Sequence, residues 1–270
     1  MESAKPSAAL TIAGFDPSGG AGVLADVRTF AKFGLHACAV VTSVTFQNSK
    51  VFVGAVHQTA DAVRAQIESV LGEFTIICAK TGMLPTREVV SEVARLFRET
   101  NLPAPVVDPV IVSSTGHVLM EPEALAALQS ELLPLACLVT PNILEAETLT
   151  GMTIRTESDM RQAAAMIRER GARAVLVKGG HLGETAEGQR QEAEGRRQKA
   201  EKEAIDVLDD EGAVTVFRAA RVEGGELHGS GCILSAAIAA GLGNGMMLEG
   251  SVRTAKSFVL EAIRNSNRSE

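Results

Sequence analysis

AALTIAGFDPSGGAG, residues 8–22, is the stretch that decides the fold of this 270-residue chain. Its first half, Ala8–Gly14, is a continuous apolar run typical of a buried strand. The glycines and Pro17 of Asp16–Gly22 then predict a tight turn, and helical spacing begins at Ala21. A strand that passes through a glycine-rich turn directly into a helix is typical of α/β proteins. Ligands of open α/β sheets collect at this end of the strands.

The rest of the chain repeats this alternation. Further strands are predicted at Ala37–Val44, Val51–Val56, Thr75–Ala79, Ala104–Asp108, Cys137–Thr140 and Ala174–Lys178, with a hairpin of Ala204–Leu208 and Val214–Phe217. Helices are predicted at Ala21–Phe33, Ala60–Leu71, Thr86–Thr100, Pro122–Leu132, Glu145–Thr150, Glu157–Arg170, Gly231–Gly243 and Leu248–Asn265. Apolar strands alternating with amphipathic helices predict a doubly wound, mostly parallel sheet with helices on both faces. We expect one domain over residues 1–270.

Composition limits the classes of partner. The formal net charge of −7 gives no electrostatic reason to bind nucleic acid or an anionic membrane. No apolar run approaches the roughly 20 residues of a membrane-spanning helix, and the amino terminus lacks the pattern of a signal peptide. The four cysteines are far apart and form no C-x-x-C pair, which is the pattern of a reduced compartment. A cytoplasmic, small-molecule-binding protein is therefore expected.

A charged segment, Gly183–Glu203, interrupts the alternation. It is rich in Glu, Gln, Arg, Lys and Ala and has almost no apolar residue to bury. We interpret it as a solvated loop or surface helix inserted between core elements. A lid over a bound nucleotide is the alternative.

The motif His228-Gly229-Ser230-Gly231-Cys232 is followed by the small apolar run of a buried helix. Its glycines allow a tight turn whose amides approach a ligand closely. A glycine-rich turn that opens a helix directs unpaired N–H groups and the positive end of the helix dipole at one point, which suits phosphate oxygens. These donors would also favour the thiolate of Cys232. An anion cradle with a potential base beside it predicts phosphoryl transfer to a hydroxyl. A purely structural role for His228 stays open.

Other polar residues follow predicted strands. Asp108 ends one strand, and the run Thr140-Pro-Asn142-Ile-Leu-Glu145 ends the next. These side chains supply hard oxygens for Mg²⁺ or its waters, although Asn142 and Glu145 are also spaced as a helix N-cap and its capping partner. Lys178 ends a further strand and could reach a phosphate.

Three residues nearer the amino terminus are candidates for contact with an organic substrate. Asp26, on the first helix, could accept a hydrogen bond from an amine. Gln47 could both donate and accept, as a pyrimidine requires, although a solvated turn is the commoner explanation of such a residue. Met83 could line an aromatic pocket or belong to the core.

Together these motifs resemble the ribokinase-like superfamily, and most closely its hydroxymethylpyrimidine/phosphomethylpyrimidine kinases of thiamine biosynthesis. The resemblance covers nearly the whole chain. It is carried by D-P-S-G-G-A-G (16–22), A-D (25–26), Q-N (47–48), G-M-L (82–84), T-P-N-x-x-E (140–145), K-G-G-H (178–181) and H-G-S-G-C (228–232).

The resemblance implies an enzyme that uses ATP and Mg²⁺ to phosphorylate 4-amino-5-hydroxymethyl-2-methylpyrimidine and then its monophosphate. It implies a pyrimidine pocket of Ala21, Asp26, Gln47, Met83, Val110 and Cys232. Gly229, Ser230, Gly231 and Cys232 would form the anion hole, with Cys232 as the base. Lys178, Asn142 and Glu145 would place the phosphates, and Asp108 and Glu145 would serve the metal, directly or through water.

The family's usual threonine in the cradle is Ser230 here, which keeps the hydroxyl. Pyridoxine/pyridoxal kinase is the near alternative, because related enzymes share this fold and cradle. A catalytically silent ligand-binding protein is the alternative from another class. By analogy with such folds, a homodimer is expected.

Overall fold

A computed structural model describes residues 5–48, 50–113, 116–180, 203–220 and 227–266. Within these ranges, nine strands form one sheet in the order β3-β2-β1-β4-β5-β6-β7-β8-β9. The strands are β1 (Ser7–Phe15), β2 (Ala37–Gln47), β3 (Phe52–His57), β4 (Thr75–Thr81), β5 (Val106–Val107), β6 (Leu138–Val139), β7 (Ala174–Gly179), β8 (Glu203–Asp210) and β9 (Ala213–Ala220).

Helices connect the strands. They are α1 (Gly22–Lys32), α2 (Ala60–Glu73), α3 (Arg87–Glu99), α4 (Pro122–Ala127), α5 (Ile143–Thr150), α6 (Glu157–Arg168), α7 (Ser230–Gly243) and α8 (Leu248–Ser266). None of the described helices combines the length and apolar character that crossing a bilayer requires.

The sheet is parallel in its centre and antiparallel at both edges. Strands β2, β1, β4, β5, β6 and β7 run parallel, β3 pairs antiparallel with β2, and β8 and β9 continue antiparallel from β7. The predicted doubly wound, mostly parallel sheet is therefore confirmed. The chain moves outward from β1 to β2 and then returns to place β4 on the other side of β1. This reversal is a topological switch point, where the carboxyl ends of neighbouring strands open a crevice.

Each face of the sheet packs against its own helices. One face, which we call the α3 face, is covered by α2 to α6 and buries residues such as Leu10, Val93 and Leu132. The other, the α7 face, is covered by α1, α7 and α8 and buries residues such as Phe30 and Ile238. Successive residues of a strand point to opposite faces, so Val106 packs on the α7 face and Val107 on the α3 face.

The structure refines several predicted boundaries. The helix predicted over Pro122–Leu132 is α-helical only in α4; Leu128–Leu132 widens into a π-helical turn, and Leu133–Leu135 tightens into a 3₁₀ turn. The predicted hairpin of β8 and β9 is confirmed, with Glu211 and Gly212 at φ of 52° and 96° in its two-residue turn. The charged segment Gly183–Glu203 lies outside the described residues, except for Glu203, which begins β8.

Candidate active site

The predicted site residues lie along one edge of the sheet. Because the central strands are parallel, their carboxyl ends share this edge. The loop of residues 16–22 follows β1, Gln47 ends β2, Met83 follows β4, Asp108 follows β5, Asn142 and Glu145 follow β6, and Lys178 lies near the end of β7. The amino terminus of α7 reaches the same edge, where Gly231 lies against Lys178.

The phosphate cradle predicted at residues 229–232 is the first turn of α7. Gly229 caps this helix at φ 78°, a left-handed conformation that side chains rarely adopt. The helix has no side-chain cap and no acidic residue in its first turn, so the positive end of its dipole is not neutralised within the turn. A Cβ atom on Gly231 would lie 3.2 Å from Lys178 Nζ. An ammonium group therefore sits directly against a helix amino terminus, which favours binding of an anion.

Lys178 is tied to Asp108 beneath the cradle. Its Nζ atom lies 3.1 Å from Asp108 Oδ1, which also accepts a hydrogen bond from Thr140 Oγ1 at 3.3 Å. Ser235, on α7, donates to Asp108 Oδ2 at 3.3 Å. Burial opposes ionisation of Asp108, but Lys178 and Lys80 lower the pKa of this carboxyl below its usual value. Asp108 is therefore a buried carboxylate that links β5, β7 and the first turns of α7.

Glu145 and Asn142 form the capping box that their spacing predicted. Asn142 Oδ1 accepts from the Glu145 amide at 2.9 Å, and Glu145 Oε2 accepts from the Asn142 amide at 2.8 Å. Burial raises the pKa of Glu145 to about 7, Asp108 adds to this, and Lys178 opposes it. A cation near this carboxyl would favour its ionised form.

Cys232 corrects one prediction. The helix terminus was expected to favour the thiolate, but burial raises the pKa of Cys232 to about 11. Lys80 and a hydrogen bond from the Gly22 amide oppose the rise, whereas Asp108 and Asp26 add to it. The desolvation of the sulfur and two nearby carboxylates outweigh the local amides, because removal from water penalises the charged form. The thiol is therefore protonated at neutral pH in this state.

Asp26 lies in a buried ion pair with a residue that the sequence analysis missed. Lys80 Nζ contacts Asp26 Oδ2 at 2.8 Å and Oδ1 at 3.1 Å, and Thr11 Oγ1 donates to Oδ2 at 2.6 Å. The side chains of Lys80 and Asp26 are both fully buried. Burial alone would lower the pKa of Lys80, but Asp26 and, further off, Cys232 and Asp108 raise it. A lysine in the otherwise apolar strand β4 was the available signal.

Asp16 is a second residue without a predicted role. Its Oδ1 accepts from the amide and hydroxyl of Ser18 at 2.9 and 2.8 Å, and its Oδ2 accepts from the Ala21 amide at 2.9 Å. His228 Nε2 also lies 2.9 Å from Oδ2. Burial opposes ionisation, but the hydrogen bonds from Ser18, His228 and Ala21 lower the pKa of Asp16 overall. This carboxylate shapes the glycine-rich loop that follows β1.

The residues predicted for the organic substrate are spread along the switch point. Ala21 caps α1. Met83 packs on β1, since a Cβ atom on Gly14 would lie 3.1 Å from its sulfur, and its carbonyl accepts from Thr42. Gln47 is half-buried at the end of β2, and Val110 is half-buried two residues beyond Asp108. These assignments stay predictions.

A magnesium ion suits this edge chemically. The described residues contain no group of three or more His, Cys, Asp or Glu side chains arranged to hold a metal. Asp108 and Glu145 do offer hard oxygens beside the cradle. Mg²⁺ in phosphate-transfer sites is held by one or two carboxylates together with phosphate oxygens and water. The donor set therefore fits a metal that arrives with its nucleotide.

The sheet is doubly wound, and at its carboxyl edge a helix opened by glycine lies against a lysine that is paired with a buried carboxylate. This combination is that of a phosphotransferase of the ribokinase-like class. The sequence model described as Phosphomethylpyrimidine kinase matches residues 16–270. A hydroxymethylpyrimidine/phosphomethylpyrimidine kinase of Rhizobium meliloti is 41% identical over 263 residues, covering 97% of this chain and 92% of the relative. The chain belongs to the phosphomethylpyrimidine kinase family. Plant relatives are named for thiamine biosynthesis.

Solved structures share the fold. The phosphomethylpyrimidine kinase of Clostridium difficile is 34% identical with a TM-score of 0.79, over 96% of this chain and all of that one. The pyridoxal kinase of Staphylococcus aureus in complex with AMP-PCP and pyridoxal is 30% identical with a TM-score of 0.81, over 97% of this chain and 89% of that one. The predicted family and fold are thereby confirmed.

Proposed function

We propose that this chain uses ATP to phosphorylate the hydroxymethyl group of 4-amino-5-hydroxymethyl-2-methylpyrimidine, and then the resulting monophosphate, in thiamine biosynthesis. The observation that carries this proposal is the uncapped amino terminus of α7 against Lys178 and Asp108 at the carboxyl edge of the parallel strands. Membership of the phosphomethylpyrimidine kinase family supplies the substrate class.

Positioning and charge neutralisation do most of the catalytic work in phosphoryl transfer, since the protein has little covalent chemistry to perform. In the proposed reaction, amides of residues 229–232 and the Lys178 ammonium hold the transferred phosphoryl group. Asp108 keeps Lys178 in place. When bound, Mg²⁺ would neutralise phosphate charge, with Asp108 and Glu145 as its protein partners. Asn142 fixes Glu145 through the capping box.

Cys232 is the proposed base for the acceptor hydroxyl. Its thiol holds its proton at neutral pH in this state, so it acts as a base only where positive charge lowers its pKa. Lys80 already does so in part. A bound Mg²⁺ would add positive charge near the thiol and would lower its pKa further. We propose that Cys232 releases its proton to solvent water before transfer, and that the resulting thiolate takes the hydroxyl proton late in the transfer.

Ala21, Asp26, Gln47, Met83 and Val110 are the proposed pyrimidine-binding residues. Asp26 has both oxygens engaged by Lys80 and Thr11, so we propose that it acts on the substrate through the shape and charge of the pocket floor. The half-buried Gln47 amide is available to pair with a ring nitrogen and an amino group.

The test is direct. Purified protein is incubated with Mg-ATP and the aminopyrimidine alcohol, and products are resolved by mass spectrometry and phosphorus NMR. Formation first of a monophosphate and then of a diphosphate supports the proposal. Absence of any ATP-dependent product contradicts it and favours a catalytically silent binding protein.

Pyridoxal kinase is the second candidate, favoured by the likeness to the Staphylococcus aureus enzyme in complex with pyridoxal. Both acceptors are flat heteroaromatic rings that bear a hydroxymethyl group. Comparing kcat/KM for the pyrimidine and for pyridoxal in one assay decides between them. A higher value for pyridoxal would overturn the pyrimidine proposal.

We further propose a homodimer. The β2–β3 hairpin exposes several large apolar side chains: Val44, Phe46, Val51, Val53 and Val56. Within the described residues β3 also ends the sheet, and exposed apolar edges are usually covered by a partner. Light scattering on the wild type and on Val53→Lys tests this, since a charge at the 77% exposed Val53 should dissociate the dimer. A monomeric wild type would contradict it.

A further inference from the structure

His228 joins the two glycine-rich loops of the site. It stands one residue before the cap of α7, and its Nε2 atom lies 2.9 Å from Asp16 Oδ2, 212 positions away in the chain. Because hydrogen bonds keep Asp16 ionised, the imidazole N–H is the donor. The side chains are 16% and 1% exposed, so this bond is largely shielded from water.

The backbones of the two loops are in contact at the same place. A Cβ atom on Gly20 would lie 2.2 Å from His228 Cδ2, and one on Gly229 would lie 2.1 Å from the Gly20 carbonyl oxygen. The Gly22 amide also lies near enough to the Cys232 sulfur to lower the pKa of its thiol. Three separate contacts therefore hold the loop after β1 against the first turn of α7, and two of them require glycine.

Asp16 is the common partner of both sides. The same Oδ2 atom that accepts from His228 accepts from the Ala21 amide, while Oδ1 accepts from Ser18. A shift of the imidazole therefore shifts the acceptor that fixes the cap of α1. Conversely, the loop cannot move away from α7 without breaking a buried, charge-assisted hydrogen bond, which is among the stronger bonds in proteins.

We propose that His228 is a positioning residue which, through Asp16, sets the distance between the loop after β1 (residues 16–22), which carries the proposed pyrimidine contact Ala21, and the phosphoryl-binding turn (residues 229–232). This inference rests on the proposed kinase function, in which Ala21 of the first loop contacts the acceptor and the amides of the second turn hold the phosphoryl group. Reacting atoms must lie within about 3–3.5 Å for transfer, so a loop displacement of about 1 Å has a large effect.

The predicted signature is uncoupling rather than loss of binding. In His228→Ala, the turn of α7 still binds nucleotide, but the acceptor hydroxyl is misplaced and water competes for the phosphoryl group. We expect kcat for pyrimidine phosphorylation to fall roughly 10- to 100-fold. The dissociation constant for ATP should stay unchanged, and fewer phosphorylated products should form per ATP hydrolysed.

Two variants serve as controls. His228→Gln keeps an N–H donor near the position of Nε2 and should recover most of the coupling. His36→Ala removes an exposed histidine that stacks on Phe74 just before β2, at the opposite end of the strands, and should leave coupling unchanged. In an Asp16→Ala background, His228→Ala should add little, because residues that act as a unit are not additive.

Hydrogen exchange gives a readout independent of activity. In the free protein, the amides of Ser18 and Ala21 are held by Asp16. They should exchange faster in His228→Ala than in the wild type, while amides of α3 should not. If the wild type forms no product, the kinase proposal fails, and exchange still decides whether His228 holds the loop. Unchanged exchange in His228→Ala, or unchanged products per ATP in an active enzyme, would overturn the inference.

Discussion

The α3 face of the sheet buries aliphatic side chains almost throughout, whereas the α7 face buries charged and hydroxyl groups among them. Five polar side chains on or beside the α7 face are at most 2% exposed to solvent: Thr11, Asp26, Lys80, Asp108 and Ser235. On the α3 face, the acidic Glu92 and Asp209 are also buried, but their arginine partners (Arg64, Arg95 and Arg168) reach solvent. Buried charges are costly unless paired, and those of the α7 face are paired with one another. They form a layer of fixed charge beneath the cradle, which we call the polar layer, in place of apolar packing.

The difference follows the topology. Helices α1 and α7 approach the carboxyl edge of the sheet with their amino termini, and the second turn of each contributes to this polar layer through Asp26 and Ser235. Helices of the α3 face meet apolar strand residues instead. A mutation in the polar layer should therefore affect chemistry or electrostatics, whereas one among the apolar residues of either face should affect packing alone.

The largest effect is expected at Cys232, where the comparison is between two cysteines of the α7 face. Cys232→Ala should lower kcat roughly 10²- to 10⁴-fold, the usual contribution of a positioned base, with little change in stability. That loss corresponds to about 3–5 kcal/mol of barrier. Cys78→Ala is the matched control, because Cys78 packs against Gly243 away from the edge. It should cost about 1 kcal/mol of stability and leave kcat unchanged. Wild-type turnover by Cys232→Ala would remove the base assignment.

The second effect concerns the buried ion pair. Lys80→Met leaves the Asp26 carboxylate without its cation and should lower the free energy of unfolding by about 3–5 kcal/mol, measured by urea denaturation. The double variant Lys80→Met/Asp26→Asn should be more stable than Lys80→Met, because the uncompensated charge is gone and Thr11 keeps a partner. If the single and double variants have the same free energy of unfolding, Lys80 and Asp26 do not stabilise the fold as a charge pair.

The third effect tests where the polar layer ends. Glu145 belongs to α5, a helix of the α3 face, yet its carboxyl faces Lys178. Its pKa of about 7 in the folded state exceeds its ordinary 4.5. Between these values the folded state holds a proton that the unfolded state has released, so stability falls as pH rises. Above about pH 7 the loss is complete, at about 3 kcal/mol.

Glu145→Gln stays neutral and keeps the capping geometry. The free energy of unfolding of this variant, relative to that of the wild type, should therefore increase by up to about 3 kcal/mol as the pH rises from about 4.5 to 8. Urea denaturation across this range gives the difference. Glu123→Gln, at an exposed position of α4, is the control. A pH-independent difference would show that burial does not perturb Glu145.

Much of the fold and part of the candidate site could be predicted from the sequence, because local patterns determine them. The continuous apolar strands predicted the parallel sheet, and the spacing of Asn142 and Glu145 predicted a cap that the structure contains. The glycines of residues 228–232 predicted the turn that opens α7. In each case the determining residues are neighbours in the chain.

What the sequence did not reveal depends on distant pairs. Lys80 and Asp26 are 54 positions apart, and Asp16 and His228 are 212 apart, so no spacing rule relates them. The predicted direction of the Cys232 pKa shift was wrong for the same reason. The helix terminus is local and visible, whereas the burial that outweighs it arises from the packing of α7 on β4 and α1.

The smallest effect is expected at Gln47, which lies outside both buried layers. Gln47→Ala removes one or two hydrogen bonds to the substrate, each worth about 0.5–1.5 kcal/mol. The KM for the pyrimidine should therefore rise several-fold, while the KM for ATP and the stability stay unchanged. Asn48→Ala is the matched control. Its Oδ1 accepts from the amides of Lys50 and Val51, so its loss should weaken the β2–β3 turn without affecting the pyrimidine. Initial-rate kinetics with either substrate varied separate the two cases. An unchanged KM for the pyrimidine in Gln47→Ala would show that Gln47 does not recognise the ring. The residues that bind the ring would then lie elsewhere on the edge, on the strands that contact the polar layer.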